Sequence, residues 1–356
     1  MIQNAFAQFS RSPECDAVRL PFFFTPDVRQ SRKGNAGKIL ELFRVIARLL
    51  RIRAKGSVSL ILYPTGGPQR VPMIRDLLLL PWIFLCTRRV VLHFHAAGIA
   101  ERFCAMRVGL LERSLRWLYR KAFAAVVMTE FNRRDPEAAG IQRVLVIPHR
   151  IEDSYDPLLV RRDDSTSPRI LYVGHLCADK GTPEMLQAFA AIRTRHPGLV
   201  LELVGECLPP FSDEDLTRLI SSLELQPYVE KSGVLTGRAK NEAFGRADLF
   251  AFPSVAPYES FGLVLIEAMA WGLPIVASDW RGNREVLTPE AGAIFFPVSP
   301  SPAGALEAAF EEALSRRDEW ADWGEANRRI FTQRYCESGD AHWLTAPILS
   351  LLRAAG

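Results

Sequence analysis

Residues 247–278 constrain the fold more than any other stretch of the chain. ADLFAFPS is a strand-like apolar run, and the stretch beginning near Ser260 reads as a helix that is stopped by Gly272 and Pro274. A second apolar run, IVAS, follows at once at residues 275–278. A strand, a helix and a strand at this spacing make a βαβ unit, whose strands run parallel in one sheet and need helices to cover them. The expected helix places Glu259 just outside its mouth and Glu267 about two turns above Ser260 on the same face. The N–H groups of a first helical turn lack intrahelical partners, and Gly262 removes a side chain that would keep an anion away. An anion cradle flanked by two carboxylates results.

A carboxylate repels phosphate but accepts strongly from paired hydroxyls, so the two features together fit a nucleotide sugar. Two bland readings stand beside this one: an acid next to a packed helix, or the acid and nucleophile pair of a glycosidase. Glu259 to Glu267, with Ser260-Phe261-Gly262 between them, resembles the signature of retaining GT-B glycosyltransferases of family 4, the group 1 type. That resemblance implies an α/β fold of two Rossmann-like domains facing each other across a cleft, with a C-terminal helix crossing back. It also implies that Glu259 holds sugar hydroxyls, that Glu267 holds the ribose, and that the backbone from Ser260 to Leu263 meets the phosphates.

A second candidate site lies upstream. The buried-strand run RILYV leads into Gly174-His175-Leu176, then Asp179-Lys180-Gly181-Thr182, with a helix expected over residues 182–196. A cation on the loop after the first strand of a Rossmann-like unit can neutralise a pyrophosphate, and Lys180 is that cation. His175 stands where the resembled family usually has an arginine; a neutral imidazole supplies one donor and no fixed charge, although a diphosphate nearby raises its pKa. By the same resemblance the base lies near Val234 and Leu235, and His95, at the end of the strand-like run VVLHFH, faces the donor sugar. His93 shares the strand parity of His95, and only its place at the strand end favours the latter. The loop Lys33-Gly34-Asn35-Ala36-Gly37-Lys38 resembles the family's glycine loop on the acceptor side, without adjacent glycines. Gly66-Gly67 either lines the same cleft or makes a turn.

A chain of 356 residues suggests two domains. Strand-like runs at 19–24, 58–63, 90–95, 124–129 and 144–147, and again at 170–173, 200–204, 249–253, 275–278 and 293–296, alternate with helical runs. Polar residues 161–168 (RRDDSTSP) mark the linker, giving expected domains at 1–155 and 156–335 and a terminal helical segment at 336–356 packing back on the first domain. Six scattered cysteines argue against zinc and against a disulfide framework, so a reducing cytoplasm is expected. No signal-peptide core opens the chain, and the longest greasy run, residues 77–86, is interrupted by Pro81 and is half a membrane span.

Net charge is unevenly divided. Residues 1–150 hold 25 Lys+Arg against 10 Asp+Glu, a formal +15, and the remainder holds 19 against 30, or −11. Much of the positive charge sits on residues 38–53 and 102–121, where cations interleave with large apolar residues; each run is either a helix on an anionic membrane surface or a packed helix with a solvated face. No reader motif accompanies the charge, so nucleic acid is not an expected partner. Asp213-Glu214-Asp215 has a metal-binding spacing, but Ser212 can cap a helix whose first turn carries those acids. Neither a metal nor a cofactor is expected.

The sequence therefore predicts a metal-independent hexosyltransferase using a nucleotide diphosphate sugar, UDP-sugar before GDP-sugar. Its acceptor would be a sugar or lipid-linked hydroxyl in glycan, polysaccharide or glycolipid synthesis, with peripheral attachment to the inner membrane face if the basic helices bind lipid. Two rivals stay open: an isomerase or phosphorylase on the same scaffold, and a non-catalytic nucleotide-sugar-binding subunit. The latter is suggested by His175 and by His149-Arg150, where the family more often has asparagine-glycine.

Overall fold

The computed structural model describes residues 6, 8–10, 16–20, 36–106, 108–160, 168–337 and 342–354. Gly34 and residues 21–24 of the first expected strand lie outside these. The chain forms two compact units, residues 1–149 with 339–356, and residues 150–338.

In the first unit four strands, β1 (Ile61–Pro64), β2 (Val90–His93), β3 (Ala124–Val127) and β4 (Val144–Val146), pair in that order, all parallel. Successive strand residues point to opposite faces, and the two faces are covered differently. Val90, Leu92, Ala125 and Val127 meet the helices Ala36–Lys55, Arg70–Cys86 and Leu110–Tyr119 in one core. Val91, Ala124 and Val126 meet Trp343, Leu344 and Ile348 in another, so the Thr345–Ala354 helix from the far end of the chain completes this unit. The single helix expected over residues 102–121 is two: Ile99–Phe103 ends before a turn, and Leu110–Tyr119 begins after Gly109. The buried carboxylate of Asp135 fixes the first of these by accepting from the Gly98 and Ala100 N–H groups at 3.2 and 2.6 Å.

The second unit has six parallel strands: β5 (Arg169–Val173), β6 (Val200–Val204), β7 (Val229–Gly233), β8 (Leu249–Phe252), β9 (Ile275–Ser278) and β10 (Ala293–Phe296). Their spatial order is β10-β9-β8-β5-β6-β7, the doubly wound order, which reverses between β5 and β8. Hydrophobic periodicity shows no sign of β7: VEKSG is an edge strand, exposed over most of its length, and has no apolar face to read. Asn327 ties the β9–β10 end together, donating to the Leu273 and Gly292 carbonyls at 2.7 and 3.1 Å and accepting from the Gly292 N–H at 2.9 Å. Asp213-Glu214-Asp215 opens the Asp213–Ser222 helix through a reciprocal cap: Ser212 Oγ accepts from the Asp215 N–H at 3.1 Å, and the Asp215 carboxylate accepts from the Ser212 N–H at 3.0 Å.

Candidate active site

In an open parallel sheet, ligands gather where the strand order reverses, beyond the carboxyl ends of the strands. The loops after β5 and β8 flank that point. After β5 the chain passes Gly174 and His175, makes one tight turn over Ala178–Lys180, and enters the Thr182–Arg193 helix through Gly181. Gly181 has a left-handed backbone, φ +73°, and a Cβ there would lie 2.3 Å from the Pro253 carbonyl oxygen on the loop after β8. Only glycine allows the two loops to approach so closely. The Val255 N–H donates to the Asp179 carbonyl at 3.0 Å, a second tie between the same loops.

That approach delivers Lys180 to Glu259. The Lys180 ammonium lies 2.6 Å from Glu259 Oε2, and Ser254 Oγ donates to the same oxygen at 2.8 Å. Both side chains are largely shielded from solvent, so the pair is held more firmly than a surface ion pair. A chain of bonds stands behind Ser254: its carbonyl accepts from Ser278 Oγ at 2.6 Å, and Asn283 Nδ2 donates to the Ser278 carbonyl at 3.0 Å. Tyr258 adds its ring, 5.5 Å from the Lys180 ammonium. The sequence had marked Lys180 and Glu259 for separate tasks; the fold makes them partners.

His175 borders this pair. Its carbonyl accepts from the Tyr172 hydroxyl at 2.7 Å, and its imidazole pKa is lowered by burial and by the Lys180 charge, against an opposing pull from Glu206. The ring is therefore neutral at pH 7 and offers one N–H rather than a charge.

The helix after β8 spans Leu263–Ala270, beginning three residues later than the sequence spacing suggested. Gly262 is the cause: with φ +67° it cannot continue a right-handed helix, and a Cβ there would press on Leu265 and Phe252 at 3.0 and 3.1 Å. Ser260, Phe261 and Gly262 thus form the turn leading in, and Glu267 stands about one turn above the helix start. The Phe261 ring is buried edge-on against Tyr335, centroids 5.9 Å apart, which leaves its backbone as the part that can meet a ligand. Leu263 is exposed. Glu267 has a lysine of its own: Lys240, from the Gly237–Arg246 helix, lies 2.7 Å from its carboxylate. Lys240 and Ser254 were not foreseen, since only the folded chain brings them to the glutamates. Val234, exposed, and Leu235, half-buried, follow β7.

In the first unit His95 follows β2 and packs against His93, ring centroids 4.1 Å apart. Burial is the main cause that lowers the pKa of His95 to about 4 and of His149 to about 3, and it pushes His93 well down too, so all three are neutral at pH 7. Gly66 is pinned: its N–H donates to Asp76 Oδ2 at 2.6 Å. The fully buried Asp76 also accepts from the Tyr63 and Tyr119 hydroxyls at 2.7 and 2.6 Å and from Arg75 at 2.7 Å. The lone acid of the helix RVPMIRDLLLLPWIFLC, directly after Arg75, was the available signal for this latch. Gly37 lies in the first turn of the Ala36–Lys55 helix and is exposed.

Residues 160–330 match the family model described as glycosyl transferases group 1. This segment belongs to the group 1 glycosyltransferases. It carries Glu259 and Glu267, on which the resemblance was drawn, and Lys180 as well. A glycogen synthase of Mycobacterium tuberculosis is 30% identical over 207 residues, 58% of this chain and 47% of that protein. Alignment with such relatives spans under half of their own length. Among solved structures, sucrose-phosphate synthase from Thermosynechococcus elongatus has a TM-score of 0.72 at 20% identity, covering 97% of this chain and 85% of its own. The Anabaena protein HepE in complex with UDP-glucose has a TM-score of 0.66 at 20% identity, covering 87% and 82%. At these identities the structures speak for the fold alone, which is GT-B, an α/β fold of two parallel-sheet units.

Proposed function

We propose that the protein is a retaining glycosyltransferase that moves a hexose from a nucleoside diphosphate sugar, a UDP-sugar before a GDP-sugar, to a sugar or lipid-linked hydroxyl without a divalent metal. The observation that carries this reading is the Lys180–Glu259 pair at the reversal of the sheet, beside a helix mouth opened by Gly262. Lys180 and the first-turn N–H groups take up the negative charge that develops as the bond from the sugar anomeric carbon to the diphosphate oxygen breaks. Neutral His175 adds one hydrogen bond. Glu259, whose contacts with Lys180 and Ser254 both fall on Oε2, accepts from sugar hydroxyls through Oε1. Glu267, steadied by Lys240, accepts from the ribose, and the base stacks toward Val234 and Leu235. The resemblance assigns His95, neutral, as a hydrogen-bonding group for the donor sugar. The acceptor hydroxyl bonds to the anomeric carbon on the face the diphosphate leaves, and its proton passes to the departing phosphate oxygen. The UDP-glucose named with HepE supports the choice of base.

Among the described residues no helix is long and apolar enough to cross a membrane. We place the enzyme on an anionic membrane face through its basic helices, where a lipid-linked acceptor is met. Release of nucleoside diphosphate from a set of sugar nucleotides, with and without membrane extract and in excess chelator, tests the whole reading. The expected result is release that needs the extract and ignores the chelator. Release without any acceptor would favour an isomerase or phosphorylase, and binding without release a non-catalytic subunit.

A further inference from the structure

The Arg70–Cys86 helix is apolar on two opposite faces. Met73, Leu79, Leu80, Ile83 and Cys86 enter the core of the first unit. Val71, Ile74, Leu78, Trp82 and Leu85 face the other way, 38–67% exposed. At 100° per residue these five fall within an arc of about 80°, a continuous stripe along the helix. A helix that is apolar all round is ordinarily covered on every side. This one is covered on one side only.

The stripe has neighbours of the same kind. The Ala36–Lys55 and Leu110–Tyr119 helices both pack on the Arg70–Cys86 helix and share its core. They also expose large apolar side chains, Phe43 and Leu50 on one and Leu110 and Trp117 on the other. A shallow groove between Leu77, Pro81, Arg113, Ser114, Trp117 and Leu118 joins the stripe to the second of them. Around these apolar residues stand cations. On the first flanking helix Arg44 and Arg51 are exposed and lie within about a quarter turn of the Leu40 and Ala47 positions. On the second, Arg113 shares the face of Leu110 and Trp117, and just past the helix end the Lys121 ammonium sits 3.3 Å from the Trp117 ring centroid. Asp76, the acid within the stripe helix, is buried and engaged.

We propose that this three-helix layer docks on an anionic lipid bilayer, with the stripe from Val71 to Leu85 entering the headgroup region and the flanking cations meeting lipid phosphates. An apolar centre framed by cations is complementary to a surface that is negative outside and apolar beneath. A second copy of the chain is disfavoured, because a two-fold pairing of this face would set the cationic flanks against each other. The docking extends the proposed function and rests on it for its purpose, access to a lipid-linked acceptor. Its evidence is independent of the donor site.

The test is sedimentation of the full chain with vesicles of phosphatidylcholine alone and of phosphatidylcholine mixed with phosphatidylglycerol, at low and high salt. The variants are Leu78→Ser, Trp82→Ser and Leu85→Ser combined, and Arg44→Gln, Arg51→Gln and Arg113→Gln combined. All six side chains lie outside the donor site. Wild type should bind the anionic vesicles, less tightly at high salt. The serine variant should lose about a hundredfold or more in partition, from the apolar area it no longer inserts. The glutamine variant should lose most of the salt dependence. Sugar transfer to a water-soluble acceptor, read as released nucleoside diphosphate on the same samples, should be equal in all three. Equal vesicle binding by wild type and serine variant overturns the proposal. So does absence of binding to any vesicle, or a wild-type dimer that the serine variant abolishes. A wild type that binds vesicles yet turns over no donor overturns the proposed function and leaves the docking in place.

Discussion

Asp76 shows how much one residue can hold. Its carboxylate takes two tyrosine hydroxyls, the Gly66 N–H and the Arg75 guanidinium, all within the first unit. Burial first, and the Asp76 charge next, keep both tyrosines protonated and donating. Asp76→Ala would strand these donors beneath the apolar helix, and breaking a buried charged pair from one side costs about 3–5 kcal/mol. Denaturant titration should show a fall of that size with an unchanged slope, and a loss below about 1 kcal/mol would mean that the latch is relaxed by water. The histidines behave differently. In the unfolded chain they titrate near 6.5, whereas in the fold His95 and His149 do so at about 4 and about 3. As pH falls below about 6.5 the unfolded chain therefore binds protons that the native one refuses, and stability drops by about 1.4 kcal/mol per pH unit for each such proton. The stability is complete above that pH and is lost on the way down to the folded values. His149→Gln should flatten the slope between pH 6 and pH 5 by about one proton, and an unchanged slope would count against the lowered pKa of His149.

At the scale of elements, what decides legibility is whether a segment's role depends on itself or on its surroundings. The βαβ unit from β8 to β9 was readable because LFAF and IVAS are wholly buried and Gly272 and Pro274 stop the helix between them. The helix start was misjudged by three residues, since Gly262 could have been an ordinary first-turn residue until its left-handed backbone was seen. β7 was invisible because an exposed edge strand has no buried face to leave a pattern. The glutamates could be found by spacing, but Lys240 and Asp76 act through partners 27 and 43 residues away, which no local pattern encodes, and Ser254 reaches Glu259 only because the loop between them turns back, the Glu259 N–H donating to the Ala256 carbonyl. Gly181 belongs with this scale, because it sets how closely two loops approach. Gly181→Ala would combine a strained backbone with a 2.3 Å contact to the Pro253 carbonyl, so the loops must part and Lys180 must draw back from Glu259. Donor affinity should fall by about tenfold or more in calorimetry while the denaturant midpoint falls modestly. A variant with wild-type affinity would show that the loops tolerate separation.

On the scale of the whole molecule, the chain returns to its first unit after completing its second. Trp343, Leu344 and Ile348 cover Val91, Ala124 and Val126, so the terminal segment is sequence neighbour to one unit and structural part of the other. Removing residues 342–354 should raise hydrogen exchange in β2 and β3 and leave β5 and β6 protected, since each large buried apolar side chain contributes about 1.5–3 kcal/mol. Faster exchange confined to β5 and β6 would contradict that division. The charge imbalance between the halves was plain from composition. What composition could not tell is that the apolar stripe of Arg70–Cys86 faces outward between the basic helices, because a run of apolar residues looks the same whether buried or exposed.

The proposed function gives Lys180 and Glu259 a joint task, neutralising the departing diphosphate and holding the sugar, and its most direct measurement is the rate of acceptor-dependent nucleoside diphosphate release in Lys180→Ala, Glu259→Gln and the double variant. Each single change should lower the rate by about a hundredfold or more, and the double variant should be little worse than the poorer single one, as expected for residues that act as a unit. Release from Lys180→Ala at the wild-type rate, or losses in the two single variants that multiply in the double, would contradict the joint role.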